Sequence, residues 1–175
     1  RGGTKYVKVT IHIVRDSGGN GGIDEIDYSI VTKCFTDLNN LVTPSTNLVF
    51  CQEGLTMYYD CDEYYGCDIA ETIELRAIES IPNTLNIYFV PLNTPALGEP
   101  GICGIASLPG GGPQGITVFN DCTTLAAGGN VTFMHEVGHY FNLYHTHQGY
   151  NGPDPECVLR TNCAWAGDGF CDTEA

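Results

Sequence analysis

His135-Glu-Val-Gly-His-Tyr-Phe-Asn-Leu-Tyr-His145 is the stretch that decides how this chain is read. It has the form H-E-x-x-H, followed six residues on by a third histidine. Side chains four apart on a helix stand on one face, so His135 and His139 can share an ion. Imidazole nitrogen is a favoured zinc ligand. A straight helix cannot bring His145 back to the same ion, so the chain must leave the helix near residue 142 and swing round. A sharp helix exit uses left-handed backbone, which Asn tolerates best after Gly, and Asn142 stands at that place. Three neutral imidazoles with one position left for water is the pattern of a catalytic zinc, not a structural one. Glu136, beside the first ligand, is placed to take a proton from zinc-activated water. The plain alternative is a set of unrelated histidines on an amphipathic helix. It has no use for a third histidine at a spacing that suits a bend.

The stretch resembles the metzincin signature H-E-x-x-H-x-x-G-x-x-H, with Asn142 in the glycine position. The wider run Phe133-Met-His-Glu-Val-Gly-His-Tyr-Phe-Asn-Leu-Tyr-His-Thr146 is similar to the pappalysin family, the ulilysin- and cytophagalysin-like secreted metalloproteases. So is Gly167-Asp-Gly-Phe-Cys-Asp-Thr173, which matches that family's G-D-x-x-x-D-T pattern. The likeness is specific over about residues 85–173.

The resemblance implies one metalloprotease catalytic domain over 1–175, of α/β (α+β) class. Its sheet would be twisted, mixed and mostly parallel, with about five strands, a long backing helix and an active-site helix. Residues 1–145 would form the upper subdomain and 146–175 the start of a lower one that is largely absent. Zinc would sit on His135, His139 and His145, with Glu136 catalytic. The resemblance also implies an antiparallel edge strand near 103–108, to which an extended peptide adds as a further strand, so Gly104, Ile105 and Ala106 would bind substrate. Asp168, Asp172 and Thr173 gather hard oxygens of the kind calcium takes, and the resemblance makes Asp168 and Thr173 calcium ligands. The family is made as zymogens, which implies a removed N-terminal pro-segment. Metzincins carry a Met-containing turn well after the third histidine, whereas this chain has only Met57 and Met134. The lower half of the cleft is therefore expected on a further piece, or reduced.

Working outward, 175 residues suit one domain with a real core. Seven basic against twenty-one acidic residues give a net charge of −14, which excludes nucleic acid and anionic membrane as natural partners. Nine cysteines and 22 glycines point to an oxidising compartment, hence secretion. Nine is odd, so one cysteine is free or pairs outside the chain. No run is apolar enough to span a membrane. A chain that opens on Arg1 without a signal peptide reads as the processed part of a secreted precursor.

Residues 6–14 alternate, with Val7, Val9, Ile11 and Ile13 on one side and Lys8, Thr10 and His12 on the other, which predicts a strand. His12 reads as a sheet histidine, not a ligand. A turn is expected at 16–22 and a helix at 26–41, its stripe including Cys34 and ending at Leu41. Then come a strand at 47–52, a Tyr-rich acidic loop at 53–68, a helix at 70–81 and a strand at 85–90. Cys61 and Cys67 could close the loop by a disulfide or could each pair elsewhere. Strands are expected at 101–108 and 115–119, around Pro109-Gly-Gly-Gly-Pro113, which lacks the Lys-Ser/Thr of a phosphate loop. Asn130 is the expected N-cap of a helix at 131–141, with Phe133, Met134, Val137 and Phe141 as core anchors. His147 is a weaker competitor for the third ligand place, and Trp165 is expected to pack its loop against the body. The element order predicts helices on one side of the sheet.

Two functions follow. The first is a secreted zinc endopeptidase acting on peptides or proteins, with zinc as cofactor and calcium as a second ion. The alternative is a catalytically inactive binding module stabilised by metal and disulfides. A retained Glu136 favours the first, and the missing Met-turn favours the second.

Overall fold

The computed structural model describes residues 3–91, 102–120, 129–145 and 162, without the side chains of 24–27 and 129–130. The chain divides into two compact units, Arg1–Tyr140 and Phe141–Ala175. All helices and strands named below lie in the first.

Alternation of β-branched residues makes Lys5–Arg15 a long strand, β1. The helix α1 (Ile23–Thr46) leads to β2 (Leu48–Gln52), which runs parallel to β1. Next come β3 (Met57–Asp60), α2 (Ile69–Ile78) and β4 (Leu85–Val90). The order closes with β5 (Gly104–Ala106), β6 (Ile116–Phe119) and α3 (Gly129–Tyr140). The strands lie in the order β2-β1-β4-β6-β5, with β3 also on β1. Val9 pairs with both Gln52 of β2 and Leu85 of β4, and His12 pairs with both Met57 of β3 and Tyr88 of β4. So β2 and β3 share the same side of β1, end after end. The sheet is thus six strands in five positions, parallel except for β5. This is the mixed sheet with a long helix and an active-site helix that the sequence led us to expect.

Three local expectations need correction. First, the helices do not all lie on one side. Val9, Ile11, Ile13, Ile87, Phe89, Ile116 and Val118 pack with Ile30, Val31, Cys34 and Leu38 of α1 and Phe133 and Val137 of α3. The alternate residues Val14, Tyr88, Val90 and Phe119 pack with Leu75 of α2 and with Tyr64 and Cys67. Both faces of the central strands are therefore covered, and Thr10 and His12 are buried. Second, the stretch 53–68 contains β3. Arg15 and Asp60 are register partners there, and their side chains form a two-bond pair at 2.6 and 3.0 Å. Third, Cys61 and Cys67 are both free thiols, so no disulfide closes this loop. Burial pushes the Cys67 thiol up to about 12, which keeps it protonated. Cys103, by contrast, is disulfide-bonded.

The helix ends follow local chemistry. Helix α1 continues through Pro44, and Asn47 stops it at φ 60 with its N–H on the Thr43 carbonyl. Leu41 is exposed, so the buried stripe runs instead through Ile30, Val31, Cys34 and Leu38. Helix α2 starts on a capping box, in which Asp68 accepts from the Glu71 amide and Glu71 accepts from the Asp68 amide.

Candidate active site

Phe133 and Val137, four apart on α3, are buried against the sheet. Phe133 meets Phe35 of α1 edge-on, with ring centres 5.2 Å apart. This anchoring sets the rotation of the helix. Phe141, the expected fourth anchor, is exposed instead, because the helix has already ended at Tyr140. The helix also begins one residue before Asn130, which is therefore not its cap.

With that rotation fixed, His135 and His139 stand together. Their Nε2 atoms are 2.9 Å apart, with the rings nearly perpendicular at 85°. Asn142 adopts φ 69, the left-handed backbone expected at the helix exit. Ligand atoms of His135, His139 and His145 all lie within 4.8 Å of one another. Three imidazole nitrogens at such spacing fit zinc, whose tetrahedral ligands at about 2.0–2.1 Å stand roughly 3.3 Å from each other. Among the described residues, no other group of three potential ligand side chains meets this spacing. His147, Asp168 and Thr173, with the calcium site expected on the latter two, lie outside the described residues, as does Trp165.

Glu136 is buried, with 6 % of its surface exposed. It lies against β5, the edge strand of the sheet. A Cβ on Gly104 would come within 2.7 Å of the Glu136 Cγ, so only glycine leaves the carboxylate room. Burial pushes the Glu136 carboxyl above the usual range, while His139, Arg76 and the Ala106 amide act the other way. Ladder bonds from Phe119 N to the Cys103 carbonyl and from Ser107 N to the Gly115 carbonyl turn residues 103, 105 and 107 toward β6. The backbone of Gly104 and Ala106 therefore faces the free edge. This puts Gly104, Ile105 and Ala106 on the edge strand where the sequence placed them. It also gives Gly104 a second reason to be glycine.

Two features escaped the sequence reading. One is Arg76 of α2, 2 % exposed, whose guanidinium lies behind β5. The other is the contact of Glu136 with β5. A single arginine inside the stretch Ile69-Ala-Glu-Thr-Ile-Glu-Leu-Arg-Ala-Ile78 was the available signal for the first. Nothing local could signal the second, because its residues are 32 apart in sequence.

Known families bear on the same residues. The family model of the metallo-peptidase family M12B, reprolysin-like, matches residues 7–146, from within β1 to just past the third histidine. No curated protein sequence matches the chain.

Proposed function

From the premise that the chain belongs to the reprolysin-like metallopeptidases of family M12B, we propose that it is a secreted zinc endopeptidase with Glu136 as its general base and acid. The observation that carries this reading is the placing of a buried carboxylate one residue from a paired imidazole site, on one rigid helix. Zinc on His135, His139 and His145 would supply Lewis acidity.

The chain's own residues do the rest. An extended peptide adds along the outer edge of β5, where Gly104 and Ala106 present backbone groups. Glu136 takes the proton of the attacking water and passes it to the departing amine. Its burial favours the neutral acid, which suits the second of these transfers. Within the metzincins we place the chain nearest the pappalysin-like members. Asn142 at the bend and the G-D-x-x-x-D-T run at 167–173 support that placement. The nine cysteines support secretion.

The test is cleavage-site profiling of a peptide mixture by mass spectrometry, with parent and Glu136→Ala side by side and zinc content measured for both. The variant should keep its zinc and lose about 10²- to 10⁴-fold in turnover. Equal cleavage by the variant would sink the mechanism. No cleavage by a folded, zinc-loaded parent would move the reading to a binding module.

A further inference from the structure

A strand gains nothing from glycine as such. Glycine loses more backbone freedom on folding than any other residue and brings no side chain to pack, so it weakens the ladder. Yet β5, only three residues long, begins on Gly104. Backbone geometry does not demand it, because Gly104 is not among the glycines with positive φ. As far as the main chain is concerned, alanine would serve.

What forbids a side chain is Glu136. A Cβ on Gly104 would stand 2.7 Å from the Glu136 Cγ, 3.1 Å from its Cδ and 3.0 Å from its Oε1. These are far inside ordinary contact distances. The nearest of the three is the second carbon of the side chain, not its free end, so a small bend of the carboxylate does not relieve the clash. The whole side chain would have to turn to another rotamer, which carries the carboxylate away. Neither backbone is free to step aside. On β5, the Cys103 carbonyl accepts from Phe119 N at 3.0 Å and Ser107 N donates to the Gly115 carbonyl at 3.1 Å, one bond at each end. On α3, Phe133 and Val137 are buried against the sheet.

The bare face of Gly104 is also not the face that meets a peptide. Ala106, two residues on and therefore on the same side, packs with the α1/α3 cluster. Gly104 thus turns its hydrogen-only Cα toward α3, while its N–H and C=O lie across the free edge. The residue has two separable parts, a backbone for the substrate and an empty place for Glu136.

We propose that Gly104 is a positioning residue for Glu136, the space of its missing Cβ being the seat of that side chain. The strand that receives the peptide is then also the surface that sets the carboxylate, and both are referred to one backbone. This inference rests on the reading of Glu136 as the catalytic acid and base.

The test compares Gly104→Ala with the zinc-loaded parent, and Glu136→Ala with the same variant carrying Gly104→Ala as well. Peptide kinetics are measured on the first pair and thermal unfolding on all four. Gly104→Ala should lower kcat roughly ten- to a hundredfold, with KM changed by less than about threefold, because the edge groups are untouched. Its unfolding midpoint should fall by about 2–8 °C against the parent. Added to Glu136→Ala, the same methyl should leave the midpoint where it is or raise it by about 1–3 °C, since the clashing atoms are gone and alanine loses less entropy than glycine. Parent-like kcat in Gly104→Ala would overturn the proposal. So would a raised KM with kcat kept, which would make Gly104 a substrate contact only. An equal fall of the midpoint in both backgrounds would overturn it too, by placing the clash elsewhere. If Gly104→Ala alone does not fold, the double variant decides, a folded one supporting the seat and an unfolded one refuting it. If the parent itself cleaves nothing, the enzyme reading fails, and the unfolding comparison still judges whether Gly104 makes room for Glu136.

Discussion

The two faces of the sheet are built from alternate residues of the same strands and are made quite differently. On the α1/α3 face, Val9, Ile11, Ile13, Ile87, Phe89, Ile116 and Val118 meet apolar helix residues and little else. On the α2 face, one cross-strand row runs His12, Tyr88, Thr117, Ile105. His12 there is fully buried, its ring stacked on Tyr88 at 4.2 Å. Its Nδ1 pairs with the Tyr59 hydroxyl at 2.9 Å and its Nε2 with Asn86 Oδ1 at 2.8 Å. The Tyr88 hydroxyl and Thr117 Oγ1 are buried without partners. One face is therefore optimised for packing. The other carries polar groups that cost stability, and its row ends on β5, the strand that lies against Glu136.

The contrast can be broken at its strong side first. Phe89→Ala should cost about 3–5 kcal/mol in denaturant unfolding, the usual penalty for emptying a packed aromatic site. A cost under about 1 kcal/mol would mean that this face is not the close-packed one.

A pH effect comes next. Burial, partly offset by the Asn86 bond, lowers the His12 pKa from 6.5 to about 4. The folded chain therefore holds His12 neutral where the unfolded chain takes up a proton. Stability from this residue is complete above pH 6.5, falls as pH drops, and is gone near pH 4. The span is worth about 3 kcal/mol. Unfolding measured across this range should have a shallower slope in His12→Gln, by about one proton. An identical slope would show that His12 is not the buried neutral group.

The smallest effect sharpens the polar side. Thr117→Val replaces an unpartnered buried hydroxyl with a methyl of the same shape. It should be neutral or stabilising by up to about 1 kcal/mol in the same unfolding assay. A clear loss would mean that the hydroxyl has a partner that matters.

Much of this was legible in the sequence, for reasons specific to each element. Strands β1 and β4 announce themselves by dense β-branched and aromatic residues. The candidate metal site is legible because its three histidines are close in sequence and its bend suits a residue such as Asn142. Strand β3 was missed because Met-Tyr-Tyr-Asp is short, half-exposed and embedded in acids and tyrosines. Its pairing depends on Arg15, 45 residues away from Asp60. Burial of both sheet faces was missed because α2 shows only weak apolar periodicity, with Arg76 and Thr72 inward and Ile69, Ile73 and Ile78 outward. The free thiols of Cys61 and Cys67 show the limit of spacing arguments, which fix neither Cβ direction nor distance.

The position of β1 has a consequence for how the molecule is made. Strand β1 lies inside the sheet, with β2 and β3 on one side and β4 on the other. Lys5 waits for Leu48, His12 for Met57, and Val9 for Leu85. During synthesis, β1 cannot complete its hydrogen bonds until β4, whose first residue Leu85 is the register partner of Val9, has left the ribosome. Until then the edge of β1 that β4 will cover stays open. Folding of this unit is thus a late, all-together event set by long loop closures, and the nascent chain is at its most aggregation-prone just before β4 docks.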